Sequence, residues 1–284
     1  MTEVVPGGGL RTVGFPMSKA DANPDLWSGA EVSDDQIRAL ALGAYYCRSW
    51  GAYNDTVAFT PELAGSKETR QEATVEGLHD AWGVDNADDA RETIRRLLAG
   101  MHAPLFTLIH PLAAAASREA YRPDRSSIAN GHREFLQVLS QFRGYDNTSG
   151  LDRDYDAWLQ AIKLGITDGL PQPLNTDATA WDLARVVFIA RSAHTAGYLD
   201  EEEAWTHMLA GLEIAQQHYR NWRQFGSGFL TGAIFWAATR DLAAAKEQVG
   251  ERRRMLSALH SRPSSPWRRV ALHPGTPVFG TTPS

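Results

Sequence analysis

Five polar residues in this chain sit where helical spacing predicts apolar surroundings, and they define the chemistry to consider. Asp182 and Arg185 lie three apart in WDLARVVFIARSAHTA, so on a helix they share a face and can pair. Arg185 falls between Trp181, Phe188 and Ile189 on the helical wheel. A buried guanidinium without a partner there would cost about 3–5 kcal/mol. It therefore needs Asp182, another carboxylate or an anionic ligand. One outcome is an internal ion pair that fixes helix register; the other is a pocket arginine for an anionic group. Arg191 lies nearly opposite Asp182 and needs a partner of its own. Gln216 falls inside the apolar stripe of the next helix, between Leu209 and Leu212 in angle. An unsatisfied amide there costs ~1–3 kcal/mol. Asp182, Arg185 and Gln216 could meet in one buried polar cluster, or Gln216 could bond a backbone carbonyl at a helix end. His102, in GMHAPLF, lies between two apolar runs and could reach the interior, either as a satisfied interhelical histidine or as a catalytic one.

Other familiar chemistry is not spelled out. Of the nine histidines, His102 and His110 are eight apart and His207 and His218 eleven apart. Neither is the four-residue spacing that presents two imidazoles to one zinc, and there is no HExxH. There is no GxSxG elbow, P-loop or GxGxxG. Gly7–Gly9 lie in an irregular lead-in with no strand before them. The expectation is no metal and no cofactor. Acidic clusters at Asp34–Asp35, Asp88–Asp89 and Glu201–Glu203 each fall in a helical first turn, where negative charge suits the dipole. The lone Cys47 cannot form an intramolecular disulfide, and its apolar neighbours make it a packing residue.

These residues are carried by a chain of 284 residues, 43% hydrophobic and 22% charged, enough to bury a sizeable core. A net charge of −6 argues against a nucleic-acid partner, which needs a clustered basic surface. The N-terminal residues show no charged leader followed by an apolar stretch, and no uninterrupted apolar run approaches the ~20 residues of a membrane span. With one cysteine, this predicts a cytoplasmic protein without a membrane partner. Residues 1–30 read as a flexible segment, 31–260 as one helical domain, and 261–284 as an irregular tail containing Pro and Arg, partly docked through Trp267.

The helix starts are legible. Ser33 with Gln36, Asp200 with Glu203, and Asn221 with Gln224 have capping-box spacing. Ser66, Asn86, Asp152 and Thr176 are further predicted starts, and a fifth helix is expected from about Ser126 to Phe142. Pro111 should kink or divide the apolar segment from Leu105 to Ala120. A charged helix from Asp241 to Leu259 should continue the one before it. Asn54–Pro61 could be a short extended piece. The linker 168–175 (DGLPQPLN) reads as a loop within one domain or as a domain boundary. The helix at 177–196 is apolar nearly all round, which predicts a buried central helix. The fold class is thus all-α, with about eight to nine helices. In the helix after Asn221, Gly226, Gly228 and Gly232 beside large aromatics predict close approach of another helix, or less simply a ligand slot.

The stretch WDLARVVFIARSAHTAGYLDEEEAW, with QQHYRNWRQF and GFLTGAIFW, resembles the bacterial family called domain of unknown function 1266 (DUF1266). The resemblance rests on Trp181, Asp182, Leu183, Arg185, Ala196, Gly197, Tyr198, Leu199, Trp205, Gln216, Trp222, Phe225, Gly232, Phe235 and Trp236. LALGAYYCRSWGAYNDT and AWGVDNADDA extend it toward the N-terminus. Ala233 departs from the larger, often basic residue expected after Gly232. The resemblance implies an all-helical, cytoplasmic bacterial protein and lends no catalytic residue. Many aromatic and small residues with no recognisable catalytic set point to a protein-interaction or regulatory module. The alternative is an enzyme or small-ligand binder built on Asp182, Arg185, Gln216 and His102. Oligomeric state cannot be read from the sequence.

Overall fold

The computed structural model describes residues 25–59, 67–118, 125–142 and 148–278. In chain order the helices are α1 (Asp34–Leu42), α2 (Ala44–Trp50), α3 (Lys67–Trp82), α4 (Ala87–Leu98), α5 (Ala103–Arg118) and α6 (Arg125–Phe142). They continue as α7 (Thr148–Lys163), α8 (Thr179–Ala196), α9 (Glu201–His218), α10 (Trp222–Ala238), α11 (Leu242–Ser261) and α12 (Pro266–Arg269). Among the described residues no strand forms, and one isolated bridge joins Leu26 to Tyr53. The fold is all-α. Gly7–Gly9, the Ser66 cap, Pro61 and residues 1–24 and 279–284 of the two end segments lie outside the described residues.

Local side-chain chemistry sets several helix ends. Ser33 and Gln36 form the full capping box, with Gln36 N donating to Ser33 Oγ at 3.2 Å and Ser33 N to Gln36 Oε1 at 2.8 Å. Asn86 accepts from the amides of Asp88 and Asp89, and Asp200 from that of Glu203. Other starts differ from expectation. Helix α7 begins at Thr148, so Asp152 is interior to it and accepts from Gln137 Nε2 of α6 at 2.7 Å. Helix α8 begins at Thr179, three residues beyond Thr176, with Asp177 accepting the Thr179 amide at 2.8 Å. Helix α11 is separate from α10: Asp241 accepts from the amides of Ala243 and Ala244 and so starts a new helix. Pro111 does not divide α5, which runs through it.

The chain's contacts fall into two compact units. The first draws on Met1–Ala99, Leu183–Trp222 and Met255–Ser284, the second on Gly100–Asp182 and Arg223–Arg254. The linker 168–175 lies inside the second unit, so it is not the line between them.

In the first unit, α8 is buried along nearly its whole length from Leu183 to Ala193. Gly43, between α1 and α2, lets α8 approach: a Cβ there would lie 2.8 Å from Val187 Cγ1. Arg191 is fully buried and holds the loop after α2. It donates to the carbonyls of Val57 (3.1 Å), Tyr53 (2.8 Å) and Ala58 (3.2 Å) and to Cys47 Sγ (2.7 Å). These contacts answer its need for a partner without a carboxylate.

Residues 25–30, read from sequence as part of a flexible segment, are fixed in place. Arg48 and Asp25 form a buried ion pair at 2.9 Å. The amides of Ser28, Gly29 and Ala30 all donate to the Asp55 carboxylate. The C-terminal segment meets this one. Ser264 Oγ donates to Asp25 at 2.8 Å, Trp27 Nε1 donates to the Ser264 carbonyl at 2.8 Å, and the Arg269 guanidinium lies 3.6 Å over the Trp27 ring. Trp267 is buried, stacks on Trp222 with ring centres 5.5 Å apart, and donates to the Ala41 carbonyl. The tail is therefore docked well beyond one tryptophan.

In the second unit, α5, α6 and α7 pack on one another. Its core is an aromatic cluster in which Phe106, Trp158 and Phe235 make edge-to-face contacts at 5.3–5.8 Å. Such contacts add about 0.5–1.5 kcal/mol beyond area burial. Gly232 of α10 gives the close approach that small residues predict: a Cβ there would lie 2.5 Å from Trp181 Cβ. The stretch Ala87–Arg118 is long and apolar enough, by length and composition alone, to cross a membrane. Within it, however, Phe106, Ile109 and Ala113 of α5 are fully buried in the protein.

Candidate functional site

The turn before α5 brings His102 to the start of α8. Asp182 is wholly buried, and its Oδ2 accepts the backbone N–H groups of His102 (2.9 Å) and Ala103 (3.0 Å). These are two of the amides that a helix leaves without internal acceptors at its N-terminus. Asp182 thus caps α5 from 80 residues away along the chain. Its other oxygen meets His102 Nδ1 at 2.7 Å. Two backbone anchors and one imidazole contact fix the carboxylate and ring together. The His102 side chain retains 12% of its surface while that of Asp182 retains 0%.

Trp236 of α10 packs against the imidazole with ring centres 4.6 Å apart and planes at 85°. Arg240 lies with its guanidinium 4.2 Å over the Trp236 ring. Asp154 of α7 feels the same arginine: burial pushes its carboxyl above the ordinary value, and Arg153 and Arg240 pull it back. The second unit therefore gathers an oriented histidine, an indole face and a guanidinium. Arg240 and Asp154 were not picked out from sequence. Arg240 follows Trp236 by four residues, a spacing that could have suggested the stacking.

The other two sequence candidates have partners in the first unit. The Arg185 guanidinium is buried and stacks 4.7 Å over the Trp82 ring of α3. A cation over an indole face is attracted by the ring quadrupole, more so when desolvated. Gln216 Nε2 donates to the Leu272 carbonyl at 2.8 Å. That is a backbone-carbonyl role, though the carbonyl comes from the docked tail, 56 residues on.

The aromatic and glycine residues singled out from sequence have structural work. Gly197 adopts φ +83° at the end of α8, where the amide of Tyr198 returns to the Ala193 carbonyl at 2.8 Å. A left-handed glycine at that position closes a helix C-terminus. Tyr198 follows it, with burial pushing its hydroxyl pKa up. Trp205 Nε1 donates to Glu201 at 3.3 Å, Trp222 Nε1 to the Val270 carbonyl at 2.8 Å, and Phe225 is fully buried. Ala233 is buried as well. Among the described residues no group of three or more His, Cys, Asp or Glu could hold a metal ion.

A second feature lies on α6. Leu136 points into the second unit and is fully buried, yet Phe135, Val138 and Phe142 are 52%, 67% and 88% exposed. Their spacing of three and four residues puts them on one stripe. At its rim Glu134 is exposed, while Arg133 is engaged by Asp156 at 2.7 Å and Asn130 at 2.7 Å.

A family model described as "Protein of unknown function (DUF1266)" matches residues 77–272. The chain belongs to the DUF1266 family. The uncharacterized protein YbeR of Escherichia coli (strain K12) is 25% identical over 168 residues, which is 58% of this chain and 58% of that relative's own length. No solved structure matches the chain. The DUF1266 match spans both His102 and Asp182, all of α6 and the stretch from Trp181 to Trp236.

Proposed function

We propose that this DUF1266 protein acts as a protein-interaction module that binds its partner through the exposed face of α6. The carrying observation is that Phe135, Val138 and Phe142, three large apolar side chains, share one solvent-facing stripe. Contiguous exposed apolar surface on a soluble protein commonly marks an interaction site. The occupant that fits is a partner helix with an apolar stripe and a basic flank. The rim charge that faces outward is Glu134, since Arg133 is held by Asp156. A second copy would set acidic rim against acidic rim, and the chain carries a net charge of −6.

The test uses the full chain with an affinity tag, purified from its own host, beside a Phe135→Glu/Phe142→Glu variant. Fully burying a Phe is worth about 1.5–3 kcal/mol, so losing two should weaken binding by about a hundredfold or more. The expected result is a stoichiometric partner that is absent with the variant while circular dichroism and Tm are unchanged. A partner retained by the variant, or a homodimer by sedimentation that the variant dissolves, overturns this reading.

A further inference from the structure

The first unit holds residues 270–273 as a binding groove holds a peptide. We propose that this groove, built by α1, the end of α9 and the first residue of α10, also accepts the same tail segment from a second copy of the chain. The segment enters extended, with Val270 at φ −127° and ψ 141°. Successive side chains of an extended chain point to opposite sides. Val270, Ala271 and Leu272 are nonetheless all buried, so the segment has walls on both sides. It is gripped by its main chain. Trp222 Nε1 donates to the Val270 carbonyl at 2.8 Å, Arg38 Nε to that of Ala271 at 2.9 Å, and Gln216 Nε2 to that of Leu272 at 2.8 Å. In return His273 Nε2 donates to the Tyr219 carbonyl at 2.7 Å. Side chains from three helices thus read three successive carbonyls. Main-chain hydrogen bonds for affinity, with apolar pockets for selectivity, are a general way to bind an extended peptide.

Three observations favour a second copy as the occupant. The segment that fits is carried by every copy, and exchanging identical elements keeps each contact. Charge is complementary as well. From Arg262 on, the chain carries Arg262, Arg268 and Arg269 and no acidic residue, while α1 opens with the exposed Asp34 and Asp35. A released tail is therefore drawn to this edge of another copy, although the whole chain has a net charge of −6. The groove is also set without the tail. Arg38 Nη1 donates to Asp35 at 2.7 Å and its Nη2 lies 3.5 Å from Asp34, both on its own helix, which leaves Nε aimed at the occupant. The hinge for such an exchange is Arg262–Pro263, where α11 has stopped at Ser261 and Pro263 is exposed.

The test mixes two full-chain preparations with different affinity tags at high concentration and isolates mixed dimers by successive capture on the two tags. The expected result is a mixed dimer that grows slowly, since each tail must leave its own groove first. An excess of free peptide spanning residues 264–276 should suppress it by filling the groove. The same peptide with Leu272→Asp should not compete, whereas Ala271→Ser, which keeps the carbonyl that Arg38 reads, should compete nearly as well as the native peptide. In the full chain, Gln216→Leu removes one carbonyl donor and should weaken capture of the labelled peptide about tenfold. The Phe135→Glu/Phe142→Glu chain should exchange like the native one, so the outcome is independent of whether α6 binds a partner. No mixed dimer, a mixed dimer that the peptide leaves unchanged, or one that the α6 variant abolishes overturns the proposal. So does a Gln216→Leu chain, folded by circular dichroism, that captures the peptide as tightly as the native chain. Should that variant unfold, peptide competition on the native chain decides.

Discussion

Arg191 offers the sharpest check on how the first unit is held together. Its guanidinium is 1% exposed, donates to three backbone carbonyls and to Cys47 Sγ, and lies 5.2 Å over the Phe59 ring. Replacing it by Met leaves the carbonyls of Tyr53, Val57 and Ala58 short of a donor. At about 1 kcal/mol each, near the lower end for unsatisfied buried groups, that is ~3 kcal/mol. Loss of the desolvated cation–π contact adds ~1 kcal/mol. Relief of a buried charge offsets part of this, so the expected net cost is about 3 kcal/mol. Arg191→Lys should be no milder. An ammonium is a compact charge on a flexible stem and cannot reach four acceptors in a planar fork. Urea denaturation followed by circular dichroism gives the stability change. Amide hydrogen exchange should show faster opening of residues 53–59 in both variants. A cost below about 1 kcal/mol, with exchange in 53–59 unaltered, would refute the view that this arginine organises the loop.

Two further outcomes follow from the second unit. Burial, and secondarily the charge of Arg118, pushes the His110 imidazole below its ordinary value of 6.5, while its Nδ1 accepts from Trp158 Nε1 at 3.1 Å. The unfolded chain therefore takes up this proton first. Stability should be full above pH 6.5 and fall as pH drops below it, flattening under the folded value. His207 has the same sign, and Asp154 the opposite sign but in the carboxylate range, so His110→Asn should shallow the decline between pH 6.5 and 5 rather than erase it. A decline as steep in the variant as in the native chain would remove His110 from the account. Gly232→Ala places a Cβ 2.5 Å from Trp181 Cβ and should destabilise by about 1–3 kcal/mol despite alanine's better helix propensity. A variant at least as stable as the native protein by thermal melting would show that α8 and α10 do not need the glycine.

What could be read from sequence was what is local. Ser33, Asn86 and Asp200 meet acceptor needs within three residues, so spacing alone locates them. Asp152 looked like another cap because its true partner, Gln137, is on a different helix. Residues 25–30 looked irregular, and they are, but irregular backbone can be rigid when a carboxylate 25 residues away collects its amides. The same distance problem governs the site. Asp182 and His102 were each suspect as buried polar groups, yet nothing in the sequence pairs residues 80 apart. For Asp182, Arg185 and Gln216 the sequence allowed one buried polar cluster or, for Gln216, a bond to a backbone carbonyl at a helix end. Arg185 stacks on an indole and Gln216 bonds a backbone carbonyl, that of the tail, contacts no wheel diagram can supply. Helix α6 was expected from about Ser126 to Phe142, but spacing does not tell which of its apolar residues the fold leaves outside.

The contact between the two ends of the first unit bears on how the chain is made. Trp27 and Ser264 are 237 positions apart, and Asp25 reaches the same serine. A ribosome adding ~5–20 residues per second takes on the order of ten seconds or more to supply the second partner after the first. During that interval α1 lacks the tail that later buries Trp267 against the Ala41 carbonyl. The first unit can close only after Ser264 and Trp267 have left the exit tunnel, however early its N-terminal helices form. A message cut before the codon for Ser264 would yield a product with most of its helices and no means of finishing this unit.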